Sequence, residues 1–266
     1  MPPLRAEEEW VRQVMETELG VPVEQHDDGS RPGMHDLDVI YGEGQRAAVE
    51  VRAAVDPEST ELWNIVNGRG RWEEHDLAGG WAVHVKPNAR RLRRELPPFL
   101  RTLERAGIRE FPGSATESTS NVVVPAIVSA RQRDTKFPGS IYVLLDLPSE
   151  QVAGFAAGDG DALSEWLGNF LRDDALADVR QKLARSGAAE RHAFVVVSGF
   201  SGASFAVTGL LIPSDAPLPI IAPDLPPEVT DVWAASVWDS GVGFRWSSAT
   251  HRWQRFSKPL PQRVFP

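Results

Sequence analysis

The sequence predicts a mixed α/β protein of 266 residues, and three patterns along the chain support this fold class. Apolar residues of 7–19 recur with the period of a helix, whereas 35–41 and 46–55 alternate with the period of a strand. A second amphipathic stretch covers 161–186, and an apolar strand follows it from His192. We therefore expect an N-terminal helix packed on a mixed sheet, and a second α+β half that is rich in antiparallel strands.

The composition narrows the class of protein further. Hydrophobic residues make up 42% of the chain and charged residues 24%, values that are typical of a globular protein. The chain has no cysteine, which excludes disulfides, zinc–thiolate sites and cysteine nucleophiles. The formal charge of −9 argues against a protein that coats nucleic acid, but it allows a nuclease that meets DNA along one groove. With no long apolar run and no signal peptide, we expect a cytoplasmic protein without a membrane partner.

The first 110 residues predict helices and strands in the order α-β-β-β-α-β-α. After the first helix, a short strand is expected at 21–26. The strands at 35–41 and 46–55 are joined by Gly42-Glu43-Gly44, which is the pattern of a β-hairpin. The remaining elements are a helix at 57–67, a strand at 81–85 and a helix at 88–106 that Pro97 and Pro98 are expected to break. We expect these elements to form one domain, residues 1–111.

The second half, residues 112–266, is expected to form an α+β region of unknown role. Its predicted elements are strands at 121–130 and 140–147, the helical region at 161–186, and a hairpin formed by 192–200 and 204–211. Six prolines crowd residues 213–227, which predicts an extended connector on the surface.

Charged residues of the predicted hairpin form the constellation that suggests chemistry. Asp36 and Asp38 lie on one face of the first strand, and Glu50 and Arg52 lie between alanines on one face of the second. With Glu43 at the centre of the turn, Asp36 and Glu50 are each seven residues from it and stand opposite each other, with Cβ atoms about 4.5–5.5 Å apart. Two opposed carboxylates are destabilising unless a proton or cation lies between them. A hard divalent cation would remove the conflict, and the small neighbours predict an open face.

A helix followed by a hairpin with an aspartate and an acid-x-base triplet resembles the PD-(D/E)xK (restriction-endonuclease-like) superfamily. In this resemblance Asp36 takes the position of the aspartate, Glu50 that of the acidic residue and Arg52 that of the basic residue. Glu7, one turn before the apolar stripe of the first helix, matches a glutamate that the family often adds. The resemblance implies a phosphodiesterase that acts on DNA. Asp36 and Glu50 would hold Mg²⁺ or Mn²⁺, Arg52 would stabilise developing charge, and Glu7 would orient a metal-bound water.

Arg52 departs from the pattern of the family, which usually has lysine at this position. A guanidinium stays charged and cannot serve as a base, although it can neutralise a phosphate or hold Glu50 in a bidentate ion pair. The departure and the acidic net charge leave open a nuclease-like scaffold without activity, whose second half binds another protein or a small ligand. A purely structural hairpin, in which Arg52 neutralises Asp36 and Glu50, is also open.

Residues near the hairpin are secondary candidates. His26, Asp28, His35 and Asp36 lie close in the sequence and are ligand types that transition metals use. The His35-Asp36 pair is also similar to that of HD-type phosphohydrolases, which place it on a helix, whereas here it opens a strand. We expect His35 to be partly buried on the strand face opposite Asp36, and Asp38 to lie on the Asp36 face.

Three ionisable residues, Glu190, Arg191 and His192, precede an apolar strand in the second half. They form either a second polar site or a solvated junction between a loop and a strand. The stretches 26–30 and 190–194 are also similar to a group of functionally uncharacterised actinobacterial proteins, a resemblance that implies no reaction.

Overall fold

The computed structural model describes residues 3–67, 72–87, 91–112, 126–133, 137–152, 160–199, 201–238 and 240–261. Residues 121–125 of the strand predicted at 121–130 lie outside these ranges. The helices are α1 (Ala6–Leu19), α2 (Pro57–Asn67), α3 (Leu92–Arg105), α4 (Ser149–Val152), α5 (Asp161–Arg172), α6 (Ala177–Arg185) and α7 (Phe205–Thr208). The strands are β1 (Val23–Gln25), β2 (Leu37–Gly42), β3 (Gln45–Ala54), β4 (Trp72–Glu73), β5 (Gly80–Val85), β6 (Glu110–Phe111), β7 (Ile127–Arg133), β8 (Ser140–Leu145), β9 (Glu190–Val197), β10 (Asp231–Ser236), β11 (Val242–Ser247) and β12 (Arg252–Ser257). The protein is therefore of the mixed α/β class that the sequence predicts.

The chain divides into two compact units. Unit 1 contains Met1–Val55 and Ser149–Pro266, and unit 2 contains Asp56–Pro148. The boundary expected between residues 111 and 112 lies inside unit 2, because β6 pairs with β7 across it. Unit 2 is thus an insertion between β3 and the helices that precede β9.

Unit 1 contains a seven-stranded mixed sheet with the order β1-β2-β3-β9-β10-β11-β12. The predicted hairpin is confirmed as β2 and β3, and its predicted register is confirmed by the pairs Leu37–Val49 and Asp38–Ala48. Beyond the hairpin, β9 pairs in parallel with both β3 and β10. A parallel neighbour requires a crossover connection, and the helices α5 and α6 belong to that crossover.

Different helices cover the two faces of this sheet. The apolar stripe of α1 packs on one face with Val49 and Val51 of β3. The other face packs against α5 and α6, and Ala48 and Ala54 belong to that core. Glu50 points to the α6 side and is only 1% exposed, so the prediction of an open face is wrong. The face is closed because residues 177–185 return to the sheet after unit 2.

Unit 2 has its own five-stranded sheet, with the order β4-β8-β5-β7-β6. Strand β5 pairs in parallel with β8 and antiparallel with β7. The strand predicted at 81–85 is β5, and it therefore belongs to the sheet of unit 2 and not to the sheet of the hairpin. The elements expected to form one domain at 1–111 are divided between the two units.

Helix α3 of unit 2 continues through Pro97 and Pro98, so the predicted break at these residues is wrong. An internal proline costs about 3 kcal/mol because it removes a backbone donor and crowds the preceding turn. Leu92, Leu96 and Leu100 lie at helical spacing and are fully buried in the core of unit 2. Burial of this face offsets the cost of the two prolines.

The second predicted hairpin is wrong in its second strand. Residues 205–208 form α7 and residues 209–211 a 3₁₀ turn, because Val207, Leu210 and Leu211 have helical spacing and are buried together. Strand β9 already has a parallel neighbour on each side, which leaves no edge for a hairpin partner. Residues 213–227 contain no helix or strand, as predicted, and about half of them are exposed.

Within the part of the chain that the structure describes, no helix is long and apolar enough to cross a membrane.

Candidate active site

The hairpin brings Asp36 and Glu50 together at the start of β2. The backbone N–H of Asp36 donates to the carbonyl oxygen of Val49 at 3.1 Å, which continues the ladder one residue before the strand. The carboxylate of Asp36 accepts a hydrogen bond from the backbone N–H of Val51 at 2.8 Å. Glu50, between these two partners, extends to the face covered by α6. The local pairing therefore holds both acids in place, as the position of the turn predicts.

Lys182 of α6 is the cation that lies between these two acids. Its Nζ atom is 3.1 Å from Oε1 of Glu50 and 3.9 Å from Oδ1 of Asp36. The two carboxylates therefore converge on one point of the sheet face. Lys182 was not among the predicted site residues, because it lies 132 residues from Glu50 along the chain. The rarity of lysine, four residues against 24 arginines, is a signal that could have drawn attention to it.

Glu8 is the acid of α1 that is closely tied to this cluster. Arg5 donates to the Glu8 carboxylate through both its backbone N–H and its guanidinium, at 2.7 and 2.5 Å, and lies 3.7 Å from Oδ1 of Asp36. Glu8 is buried, whereas Glu7 lies 3.8 Å from the guanidinium of Arg5. The structure therefore places Glu8, one residue beyond the predicted Glu7, beside the cluster. The capping interaction of Arg5 with Glu8 at the start of α1 is the physical reason.

Arg52 lies on the same face of β3 as Glu50, but its ion pair is with Asp178 of α6 at 2.7 Å. The predicted bidentate pair between Arg52 and Glu50 is therefore replaced by a contact between β3 and α6. Arg52 still acts on Glu50 through space, since its charge lowers the pKa of that acid. The Nε atom of Arg52 is buried without a hydrogen-bond partner among the described residues.

The two acids do not behave as ordinary surface carboxylates. Burial raises the pKa of Glu50 to about 8, the neighbouring Asp36 adds to the rise, and Lys182 opposes it. Burial also raises the pKa of Asp36, against the opposing effects of the Val51 N–H and Lys182. Lys182 donates its hydrogen bond to Oε2 of Glu50, at 3.4 Å. The buried Oε1 atom lies 3.1 Å from Nζ of Lys182 but has no hydrogen-bond partner among the described residues. Burial therefore disfavours the ionised form of both acids, in spite of the positive charge of Lys182 between them.

A cavity of about 300 Å³ adjoins the cluster through Lys182. Arg31 and Arg185 line the same cavity, together with His26 and His35. Three permanent cations and two imidazoles around one cavity favour an anion, such as a phosphate group, over a neutral ligand.

Asp38 forms a second cluster with two histidines that the sequence placed near it. His26 Nδ1 is 2.9 Å from Oδ2 of Asp38, and His35 Nε2 is 2.7 Å from Oδ1. The two imidazole rings stack at 3.8 Å with an angle of 9° between their planes. The expectation that His35 faces away from Asp38 is wrong, because β2 begins only at Leu37 and strand alternation does not apply before it. Asp28 and Asp36 are not members of this cluster.

Burial and the hydrogen bonds within this cluster shift the pKa values of His35 and Asp38. Burial lowers the pKa of His35 by disfavouring the charged imidazolium. Burial alone would raise the pKa of Asp38, but its hydrogen bonds with His35 and His26 lower it below the ordinary value. Arg46 adds a third donor to Asp38, at 3.1 Å from Oδ2. Asp38 is therefore an ionised acid with several donors around it.

Glu190, the first member of the Glu190-Arg191-His192 group, lies beside the second cluster. It accepts a hydrogen bond from the hydroxyl of Tyr41 at 2.8 Å. Both residues border a cavity of about 500 Å³ that also includes His26, His35 and Asp38. Glu190 therefore belongs to the surroundings of the second cluster.

Arg191 and His192 have structural contacts. The guanidinium of Arg191 donates to the backbone carbonyls of Ala188, Pro227 and Glu228, which ties the connector to β9. His192 is fully buried, and its Nδ1 accepts a hydrogen bond from Trp233 at 3.1 Å. His192 Nε2 also lies 3.5 Å from Oε2 of Glu190, so Glu190 and His192 contact each other, whereas Arg191 binds the connector.

Comparison of the chain with protein-family models, with curated proteins and with solved structures finds no match in any of the three. The function must therefore be inferred from the site itself.

Proposed function

We propose that this chain is a divalent-metal-dependent phosphodiesterase that acts on DNA, with its active site at Asp36, Glu50 and Lys182. The observation that carries the proposal is the convergence of the two carboxylates on the Nζ atom of Lys182, at 3.1 and 3.9 Å. Two acids and one lysine on a single sheet face are the residue types that the PD-(D/E)xK resemblance implies. A lysine from α6 would supply the basic group that the sequence does not provide at Arg52.

The order of elements in unit 1 supports a restriction-endonuclease-like core. With the insertion of unit 2 set aside, α1, β1, β2 and β3 are followed by the helices α4, α5 and α6 and then by β9. The first three strands are antiparallel neighbours, and β9 adds in parallel to β3. The first four elements are those that the sequence predicts, whereas the helices that connect them to β9 come from residues 149–185 and not from the predicted helix at 57–67.

The acids of the cluster fit a hard divalent cation. Mg²⁺ and Mn²⁺ prefer oxygen ligands, and Asp36 and Glu50 would hold the ion through their carboxylates. The buried Oε1 of Glu50, which has no hydrogen-bond partner among the described residues, is an acceptor suited to such an ion. When bound, the ion would supply a more acidic water and a contact to a phosphate oxygen.

Lys182 and its neighbours would bind the substrate. The side chain of Lys182 is 23% exposed and lines the cavity of about 300 Å³, so its ammonium can turn from the acids toward a phosphate in that cavity. Arg31 and Arg185 would neutralise further phosphate charge in the same place. Arg5 and Glu8 would keep Asp36 in position from the side of α1.

Cleavage of plasmid and linear DNA with Mg²⁺ or Mn²⁺ tests the proposal. Wild type should cut DNA, and Asp36→Asn and Lys182→Gln should each abolish cleavage while they retain the circular dichroism of the wild type. Lys86→Gln is the matched control, since this lysine is exposed and lies in unit 2. Loss of cleavage in Lys86→Gln as well, or full activity in Asp36→Asn, would contradict the assignment.

The second candidate is a nuclease-like scaffold that binds a partner and has no activity. It is favoured by the position of Lys182, whose ammonium already provides a positive charge between the two acids, and by the pairing of Arg52 with Asp178. Calorimetry distinguishes the two functions. The enzyme should bind Mg²⁺ or Mn²⁺ with an affinity that disappears in Asp36→Ala, whereas the scaffold should bind neither ion.

A further inference from the structure

We infer that His26, His35 and Asp38 form a binding site for a transition-metal ion of the zinc type, separate from the acids of the proposed active site. The inference goes beyond the proposed function and does not depend on it. The three residues come from the segment after β1, the segment before β2, and β2 itself. Among the described residues, they are the one group of three or more histidine and acidic side chains whose ligand atoms all lie within 4.8 Å of one another.

The ligand set matches the chemistry of zinc. Two imidazole nitrogens and one carboxylate oxygen are the protein ligands of many catalytic zinc sites, which keep the fourth position open. Without cysteine in the chain, nitrogen and oxygen are the donors on which such an ion must depend. Imidazole ligands favour zinc, cobalt and similar ions over Mg²⁺.

Binding of one ion requires the two histidine rings and Asp38 to move apart. Bonds of about 2.0–2.1 Å in a tetrahedron place ligand atoms about 3.3–3.4 Å apart. His35 Nε2 now lies 2.7 Å from Oδ1 of Asp38, about 0.6–0.7 Å closer than in such a tetrahedron, and His26 Nδ1 lies 2.9 Å from the other oxygen, Oδ2. The nitrogens that face Asp38 would face the ion in their unprotonated form, and because the two rings now stack 3.8 Å apart with nearly parallel planes, at least one ring must tilt for both to point at one ion.

A neighbouring arginine would orient the carboxylate of Asp38, and a cavity gives access to the three ligands. Arg46 donates to Oδ2 of Asp38, which would orient the carboxylate and leave Oδ1 for the ion. His26 is partly exposed, and all three ligands line the cavity of about 500 Å³. Tyr41 and Glu190 border the same cavity. An ion held here would therefore have its open position toward a space that is large enough for a small ligand.

The test uses the full chain without an affinity tag, stripped of metal with a chelator. Titration with Zn²⁺ should show one ion bound per chain, and Co²⁺ should give visible absorption that Zn²⁺ then removes. His26→Gln and Asp38→Asn should each weaken Zn²⁺ binding about tenfold or more. His84→Gln is the matched control because this exposed histidine lies in unit 2, and it should bind as the wild type does.

Two further arms separate this site from the acids of the proposed active site. Asp36→Asn should retain Zn²⁺ binding, and an excess of Mg²⁺ should not displace Zn²⁺ from the wild type. Circular dichroism checks the fold of each variant, and the nearly isosteric Asp38→Asn decides the result if His26→Gln does not fold. Absence of saturable Zn²⁺ binding by the folded wild type would overturn the inference, as would unchanged affinity in folded Asp38→Asn.

Discussion

Replacing Glu50 with glutamine should make the metal-free protein more stable at alkaline pH, because the substitution removes a buried carboxyl that resists ionisation. Burial, and then the neighbouring Asp36, raise the pKa of Glu50 from 4.5 to about 8. The folded state therefore binds this proton more tightly than the unfolded state does. The stability from the neutral carboxyl is fully present below about pH 4.5 and is lost as the pH rises through about 8.

The size of the effect follows from the same two values. A tenfold change in a protonation equilibrium corresponds to about 1.4 kcal/mol, so ionising Glu50 costs the folded state about 5 kcal/mol. Glutamine has nearly the same shape and has no proton to lose, and its side-chain oxygen can still accept from Lys182. Glu50→Gln should thus match the wild type near pH 4.5 and exceed its free energy of unfolding by about 3–5 kcal/mol at pH 9.

Urea unfolding at pH 5, 7 and 9, with a chelator present, measures the difference. Glu24→Gln is the matched control, because Glu24 is exposed on β1 and should leave the pH dependence of the wild type unchanged. Some decline above neutral pH should remain in Glu50→Gln, since the pKa of Asp36 is also raised by burial. If Glu50→Gln is less stable than the wild type at pH 9, Glu50 acts as an ionised partner of Lys182, and the argument from burial is refuted.

Three substitutions test other contacts of unit 1 by urea unfolding. Arg52→Ala should lower the free energy of unfolding by no more than about 1 kcal/mol, because the ion pair of Arg52 with Asp178 is partly exposed. A loss of several kcal/mol would show that Arg52 supports Glu50. Trp233→Phe should cost about 1–3 kcal/mol, because it removes the donor to the buried His192, and an unchanged stability would show that this hydrogen bond contributes nothing. Phe194→Ala should cost about 3–5 kcal/mol, since Phe194 is fully buried beside Trp233, and a loss below about 1 kcal/mol would contradict the packing described for that core.

Local patterns were sufficient to predict the first helix, the hairpin and its register. The turn at Gly42-Glu43-Gly44 joins two alternating strands, and together with an irregularity between Ile40 and Gly42 it gives the register that a turn centred on Glu43 predicts. The approach of Asp36 to Glu50 follows from that register, and so does the conflict between their charges. The sequence by itself therefore determined the two acids of the candidate site.

The tertiary structure decided which distant residues complete that site. Periodicity does not specify which later strand will pair in parallel with β3, and β9 does so only after the insertion of unit 2. Lys182 reaches the acids because α6 packs on the face that the alanines of β3 leave available. Glu8 takes its position beside Asp36 through Arg5. The contacts of Lys182 with Glu50 and of Arg5 with Asp36 join residues that are far apart in the chain, and the packing that brings them together comes from burial between elements, a quantity that no local segment contains.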